Sequence, residues 1–174
     1  MPGDSARLHS LVDSEILIEA DAPASMRQPP LVETPTHDLI ECRQGRMSLA
    51  IFTMFVAEMR AARVLRKRPF HEVLAAAARE RRPRRHAPFL APAWSIETSA
   101  SAAAALSFIT GSHDRCLVRA LAAHRMCKHS GSKANLVFGV IAHPFTAHCW
   151  VQVGSAVVVG GYEHTRLYTP ILVV

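Results

Sequence analysis

Two residues of the 174-residue chain have the type and placement for nucleophilic chemistry. Cys116 falls in the first turn of a predicted helix that runs to about His129, directly after a Gly111-Ser112-His113-Asp114 cap. Unpaired backbone N–H groups and the positive end of the helix dipole at such a start stabilise a thiolate and can receive an oxyanion. His148 follows 32 residues later and opens a predicted strand, in Ala147-His148-Cys149-Trp150. A helix-start cysteine facing a strand histidine is the minimum set for a nucleophile and its base. On spacing alone, a buried structural cysteine near an unrelated histidine fits equally well.

The other candidate groups read as bland. Cys127 shares a helix face with Cys116 but stands about 16 Å along the axis, too far for a disulfide. Cys149 points opposite to His148 on a regular strand and belongs to the core, while Cys42 sits in a loose front segment. A zinc site from Cys116, His143, His148 and Cys149 lacks the paired short spacing of structural zinc sites. His113, His124, His129 and His164 read as surface or packing residues. Four cysteines without a CxxC pair, and no secretory signal in MPGDSARLHS, predict free thiols in a reducing, cytoplasmic setting.

The elements that must position Cys116 and His148 are legible in outline. The first 45 residues hold five prolines and one short strand-like run, Ile16–Ile18. Ser48 is placed to cap a helix to about Lys67, stopped by Arg68-Pro69, with apolar residues around its first three turns. A second helix is predicted from Phe70 to Arg82, broken by Pro83, and an alanine-rich one from Trp94 to about Thr110. After the Cys116 helix, with Gly131 as its stop, β-branched strands are predicted at Asn135–Ile141, His148–Val153 and Ala156–Val159. Gly154-Ser155 suits a tight hairpin, and Ile171–Val174 adds a fourth strand. A helix packed on an antiparallel sheet is an α+β architecture.

Composition bounds the partners. The chain is 49% hydrophobic, which excludes extensive disorder, and no apolar run reaches the length of a membrane span. The net charge of +6 divides unevenly: about −5 over residues 1–45, +8 over 60–86 and +4 over 116–174. The central block ends in Arg79-Glu80-Arg81-Arg82-Pro83-Arg84-Arg85-His86, with no aromatic residue on which a base could stack. A solvated helix end and linker is the plain reading of that run. An acidic peptide or protein partner is its main competitor, and nucleic acid is a distant third.

Three linked stretches carry a resemblance. Cys116-Leu117-Val118-Arg119-Ala120-Leu121, then Leu136-Val137-Phe138-Gly139-Val140, then Pro144-Phe145-Thr146-Ala147-His148-Cys149-Trp150-Val151 resemble the C-terminal half of lasso-peptide maturation B proteins. These are transglutaminase-like cysteine peptidases of the microcin J25 type, and the closing Leu167–Val174 fits their ending. The resemblance, over about residues 110–174, implies a papain/transglutaminase-like catalytic domain at 90–174. A helical, basic linker region at 46–89 precedes it, after a reduced or vestigial leader-recognition arm at 1–45. It implies Cys116 as nucleophile and His148 as general base and acid, in a cysteine endopeptidase that removes the leader from a precursor peptide. An asparagine-synthetase-like cyclase then closes the product ring with ATP, so ATP enters through that partner and this chain binds no cofactor or metal itself. Arg81, Arg82, Arg84 and Arg85 would meet the acidic surface of the leader or the cyclase.

Two departures from the family pattern stand out. The position of the family's third member, an aspartate, falls at Gly160. Glu163 is the candidate orienting residue in its place, Gln152 on the face of His148 is a second, and a backbone carbonyl is a third. The segment before Cys116 is also short, and only Ile16–Ile18 resembles part of a leader-recognition hairpin. The missing aspartate motivates an alternative function, a catalytically silent escort that delivers the precursor to the cyclase.

Overall fold

The computed structural model describes residues 32–39, 47–79, 95–111 and 115–174. The expected strand at Ile16–Ile18, Cys42, the Ser112–Asp114 cap, the side chain of Ser48 and the arginines at 81, 82, 84 and 85 lie outside those residues.

The described chain runs β1 (His37–Asp38), α1 (Met47–Lys67), α2 (Phe70–Arg79), α3 (Ile96–Thr110), α4 (Cys116–His129), β2 (Asn135–Ile141), β3 (Thr146–Val153), β4 (Ala156–Val159), α5 (Tyr162–Thr165) and β5 (Thr169–Val173). Local chemistry sets most of the boundaries. Arg68 closes α1 by donating to Val64 O at 2.9 Å, and Pro69, which has no N–H, opens α2 by accepting from Glu72 N. Ser95 caps α3, its Oγ accepting from Thr98 N at 3.2 Å. Gly131 follows α4 at φ 81°, a backbone conformation glycine adopts without strain.

The sheet order is β1-β4-β3-β2-β5. The four strands expected from the sequence are antiparallel to their neighbours, but β1 runs parallel to β4, so the sheet is mixed. His37–Asp38 has neither the length nor the β-branched composition of a strand signal. It joins the edge because Thr36 N and Leu39 N donate to Ser155 O and Val157 O.

One face of the sheet is covered by α4, chiefly on β3, and by α3 on β4, and α1 packs on both helices. The helical segment expected at 46–89 thus contributes α1 to the same core as α3 and α4. Small side chains let the helices approach: Ala100, Ala102, Ala103, Ala120, Ala122 and Ala123 are all buried, together with Met54, Leu136, Cys149 and Val151.

A buried ion pair fixes the first turns of α4. Glu58, which interrupts the apolar run of α1, is 1% exposed and accepts from Arg119 Nε at 2.9 Å. The same guanidinium donates to Thr110 Oγ1 and Gly111 O at the end of α3, and Arg115 Nη1 lies 3.6 Å from the second Glu58 oxygen. Removing one partner of such a pair strands a buried charge. Glu58→Gln is expected to destabilise the fold by about 3 kcal/mol, and Glu58→Gln with Arg119→Met by less than the sum of the single changes. Urea unfolding of the double-mutant cycle measures this, and additivity would refute it.

His124, also on α4, is 1% exposed, and its Nε2 has no hydrogen-bond partner. Burial, helped by nearby Lys128, lowers its pKa from 6.5 to about 4. The unfolded chain therefore takes up a proton as pH falls through 6.5 while the folded chain resists until about pH 4. Stability contributed by the neutral ring is full above pH 6.5 and falls toward pH 4. His124→Gln is expected to remove about 2 kcal/mol of the stability difference between pH 7 and pH 5, read from urea midpoints.

Candidate active site

Cys116 is the first residue of α4 and is half-buried. The first intrahelical bond of the turn is donated by Arg119 N to Arg115 O, and the N-cap residue Arg115 makes no side-chain cap bond. The amides of Cys116, Leu117 and Val118 lie ahead of the ladder, where an anion at the cysteine would meet them.

His148 is the third residue of β3, half-buried where the strand leaves the exposed Thr146 and Ala147. Strand alternation divides the faces: Cys149 and Val151 join the helix-side core, while His148, Trp150 and Gln152 turn to the other side. Cys149 is 3% exposed, and burial raises its thiol pKa, with Cys116 adding to the rise. The helix that begins at Cys116 packs on β3. No hydrogen bond joins Cys116 to His148 among the described residues.

The imidazole is held from several sides. Its Nε2 lies 3.2 Å from Gly160 O. A carbonyl only accepts, so Nε2 carries the hydrogen and the neutral ring keeps its basic lone pair on Nδ1. Trp150 stacks beside it at 6.2 Å and 19°, Tyr168 lies at 5.2 Å and His164 at 6.2 Å. Burial pulls the His148 pKa below the ordinary histidine value, the Gly160 carbonyl opposes that, and His164 adds to the lowering.

The Gly160 position leaves no room for a side chain. A Cβ there would sit 2.5 Å from Trp150 Cβ and 3.3 Å from His148 Nε2, and the residue has φ 125°. The main chain comes close enough for its own carbonyl to meet the ring. Of the three candidates for the orienting role, the carbonyl is the one that contacts His148. Glu163 is not brought to the ring: its exposed carboxylate pairs with Arg166 at 2.9 Å, one turn along α5. Gln152 is also committed elsewhere. It is fully buried, accepts from Trp150 Nε1 at 2.7 Å and donates to Glu33 O and Gly154 O. Its role is to fix the indole that stacks on His148.

Several contributors escaped the sequence reading. A Cβ at Gly139 would lie 2.7 Å from the Trp150 ring and 2.9 Å from Tyr168 Cβ, so the indole needs a glycine on β2 beneath it. A glycine inside a strand pattern was the available signal. Tyr168 and His164 carried none, since α5 brings them to the histidine. His164 remains exposed, as expected of a surface residue, yet its ring flanks the site. No three histidine, cysteine or carboxylate side chains converge as metal ligands among the described residues. Of the residues named for a zinc site, His148 and Cys149 point to opposite faces of β3.

This arrangement is that of a cysteine-peptidase-type fold, and the family comparison agrees. Residues 55–173 match the transglutaminase-like superfamily, and the chain belongs to it. That superfamily generally contains cysteine proteases and transferases. No curated protein and no solved structure matches the chain significantly. No helix among the described residues is long and apolar enough to cross a membrane.

Gly160→Asp is expected to lower stability by about 2 kcal/mol or more, through backbone strain and the Trp150 contact, and to reduce turnover by displacing the carbonyl. Glu163→Ala is expected to leave both unchanged, since its exposed pair contributes a few tenths of a kcal/mol at most. Thermal melts and turnover of the two variants decide the matter; a gain of activity in Gly160→Asp would show that the ring lacks an acid.

Proposed function

We infer that this protein is a cytoplasmic cysteine endopeptidase that removes the leader from a lasso-peptide precursor before a partner cyclase closes the ring with ATP. The observation that carries this reading is the Gly160 carbonyl on His148 Nε2, which leaves Nδ1 basic in a superfamily that cuts and transfers acyl groups through cysteine. The resemblance of residues 110–174 to lasso-peptide B proteins supplies the substrate class.

In the reaction, His148 Nδ1 takes the Cys116 proton as the sulfur attacks the scissile carbonyl carbon. The negative charge on the carbonyl oxygen falls to the free amides at the start of α4. The imidazolium then returns its proton to the departing core-peptide amine, the C–N bond breaks, and a thioester to the leader remains. Water, deprotonated by the same nitrogen, attacks the thioester and releases the leader acid and the Cys116 thiol. The nucleophile and base close on each other as substrate binds, since catalytic hydrogen bonds tighten from their apo geometry in the Michaelis complex.

The escort reading rests on the absence of an acid at residue 160. It is disfavoured because a hydrogen-bond acceptor for the ring is present without one. With a lasso-peptide precursor and a partner cyclase, Cys116→Ala is expected to reduce leader release by about 10³ or more, measured by mass spectrometry. Maturation at the wild-type rate in that variant would establish the escort. In the active protein, the acid limb of kcat/KM is expected below pH 6.5, because burial holds His148 unprotonated there; a limb above that value would overturn the assignment.

A further inference from the structure

The outward face of α1 is built unlike a solvent face. Leu49, Phe52, Phe55 and Met59 are 55, 62, 40 and 52% exposed, whereas Ala50, Met54 and Glu58 on the inner side are buried. Steps of three and four residues place Leu49, Phe52, Phe55, Met59, Arg63 and Arg66 along one stripe. The stripe is therefore apolar over its first three turns and basic over its last two. It does not end in open solvent. Met59 and Arg66 line a cleft of about 300 Å³ with Leu65, Val118, Arg115 and the buried Glu58. Arg115 is 44% exposed and immediately precedes Cys116.

We propose that this stripe is the docking surface for an amphipathic, acidic segment of the peptide substrate, which lies along α1 and leads toward Cys116. This rests on the reading of the protein as a peptidase and names how it holds its substrate. The occupant's apolar residues, at helical spacing, cover Phe52, Phe55 and Met59. Its carboxylates, one or two turns further on, meet Arg63, Arg66 and Arg115. The mode is helix on helix face, read by anchors at i, i+3, i+4 and i+7 with charges setting the direction.

The lengthwise division of the stripe selects this occupant. A helix lying on a membrane carries its apolar face along its whole length with cations flanking it; here the cations replace the apolar residues on the same face. A second copy related by a two-fold axis would set Arg63 and Arg66 over Leu49 and Phe52, or over their own equivalents, without a carboxylate in either case. A peptide with apolar and acidic halves satisfies both ends.

The test uses the full chain carrying Cys116→Ala, so that binding is read without turnover, and a fluorescein-labelled helical peptide. That probe has three leucines at three- and four-residue spacing followed by two glutamates on the same face. Fluorescence anisotropy is expected to show the glutamate probe binding at least about tenfold more tightly than its lysine counterpart. Phe52→Glu and Met59→Glu should each weaken it about tenfold with unchanged circular dichroism, and Arg63→Glu with Arg66→Glu should reverse the preference. Equal affinity for the two probes, or no saturable binding of either, overturns the proposal. So does Phe52-dependent binding of phosphatidylserine vesicles in preference to the probe, or Phe52-dependent dimerisation that the glutamate probe does not displace. Precursor cleavage by the wild-type chain without probe binding sinks the docking surface alone. Probe binding without cleavage sinks the peptidase reading and leaves the surface standing.

Discussion

Three helices meet at one buried carboxylate, and the placement of Cys116 depends on it. Glu58 sits in the apolar side of α1, where an unpaired charge would be costly, and Arg119 of α4 neutralises it. Nη2 of that guanidinium donates to Thr110 Oγ1 and Gly111 O at the end of α3. A buried, hydrogen-bonded pair tolerates little sliding, so the first turns of α4 are held in register with α1 and α3. Cys116 is the first residue of that helix. The apolar core around it is made largely of alanines, whose packing is less specific, and the polar contact supplies the register.

The histidine is held by a different economy of parts. A family member with an acidic third residue places a full negative charge on the far side of the ring. Here a peptide carbonyl takes that place, and it can do so because residue 160 has no side chain and the main chain comes within hydrogen-bond distance. A neutral acceptor fixes the tautomer and the plane as an acid does, but stabilises an imidazolium less. Burial and His164 shift the ring in the same direction, toward the neutral base. The Gln152–Trp150 bond, the Trp150 stack and the Gly139 clearance then constrain the ring from the other sides.

Charge is organised along the chain rather than spread over it. The described part of the basic block lies on α1 and α2, and on α1 it continues a line of exposed apolar residues toward the start of α4. The net +6 of the whole chain thus describes a local surface better than an overall affinity for polyanions. The same helix carries its buried carboxylate inward and its arginines outward, so one element both fixes the helix that begins at Cys116 and presents the face beside it.

The sequence determined the parts whose cause is local. The extent of α4, the β2 and β4 strands, the Pro69 break and the Gly131 stop followed from periodicity, β-branched runs and turn residues, because short-range sterics and hydrogen bonding suffice to set them. The same holds for Cys116 at a helix start and His148 on a strand. Tertiary structure alone decided what depends on residues distant in the chain. Glu58 finds Arg119 across 61 residues, and His37–Asp38 becomes a parallel edge strand beside β4. The hydrogen-bond partner of His148 is a main-chain atom, not a side chain. A sequence displays side chains and invites a search among Glu163 and Gln152, whereas every residue has a carbonyl. Only the path of the main chain past Trp150 selects the one at Gly160.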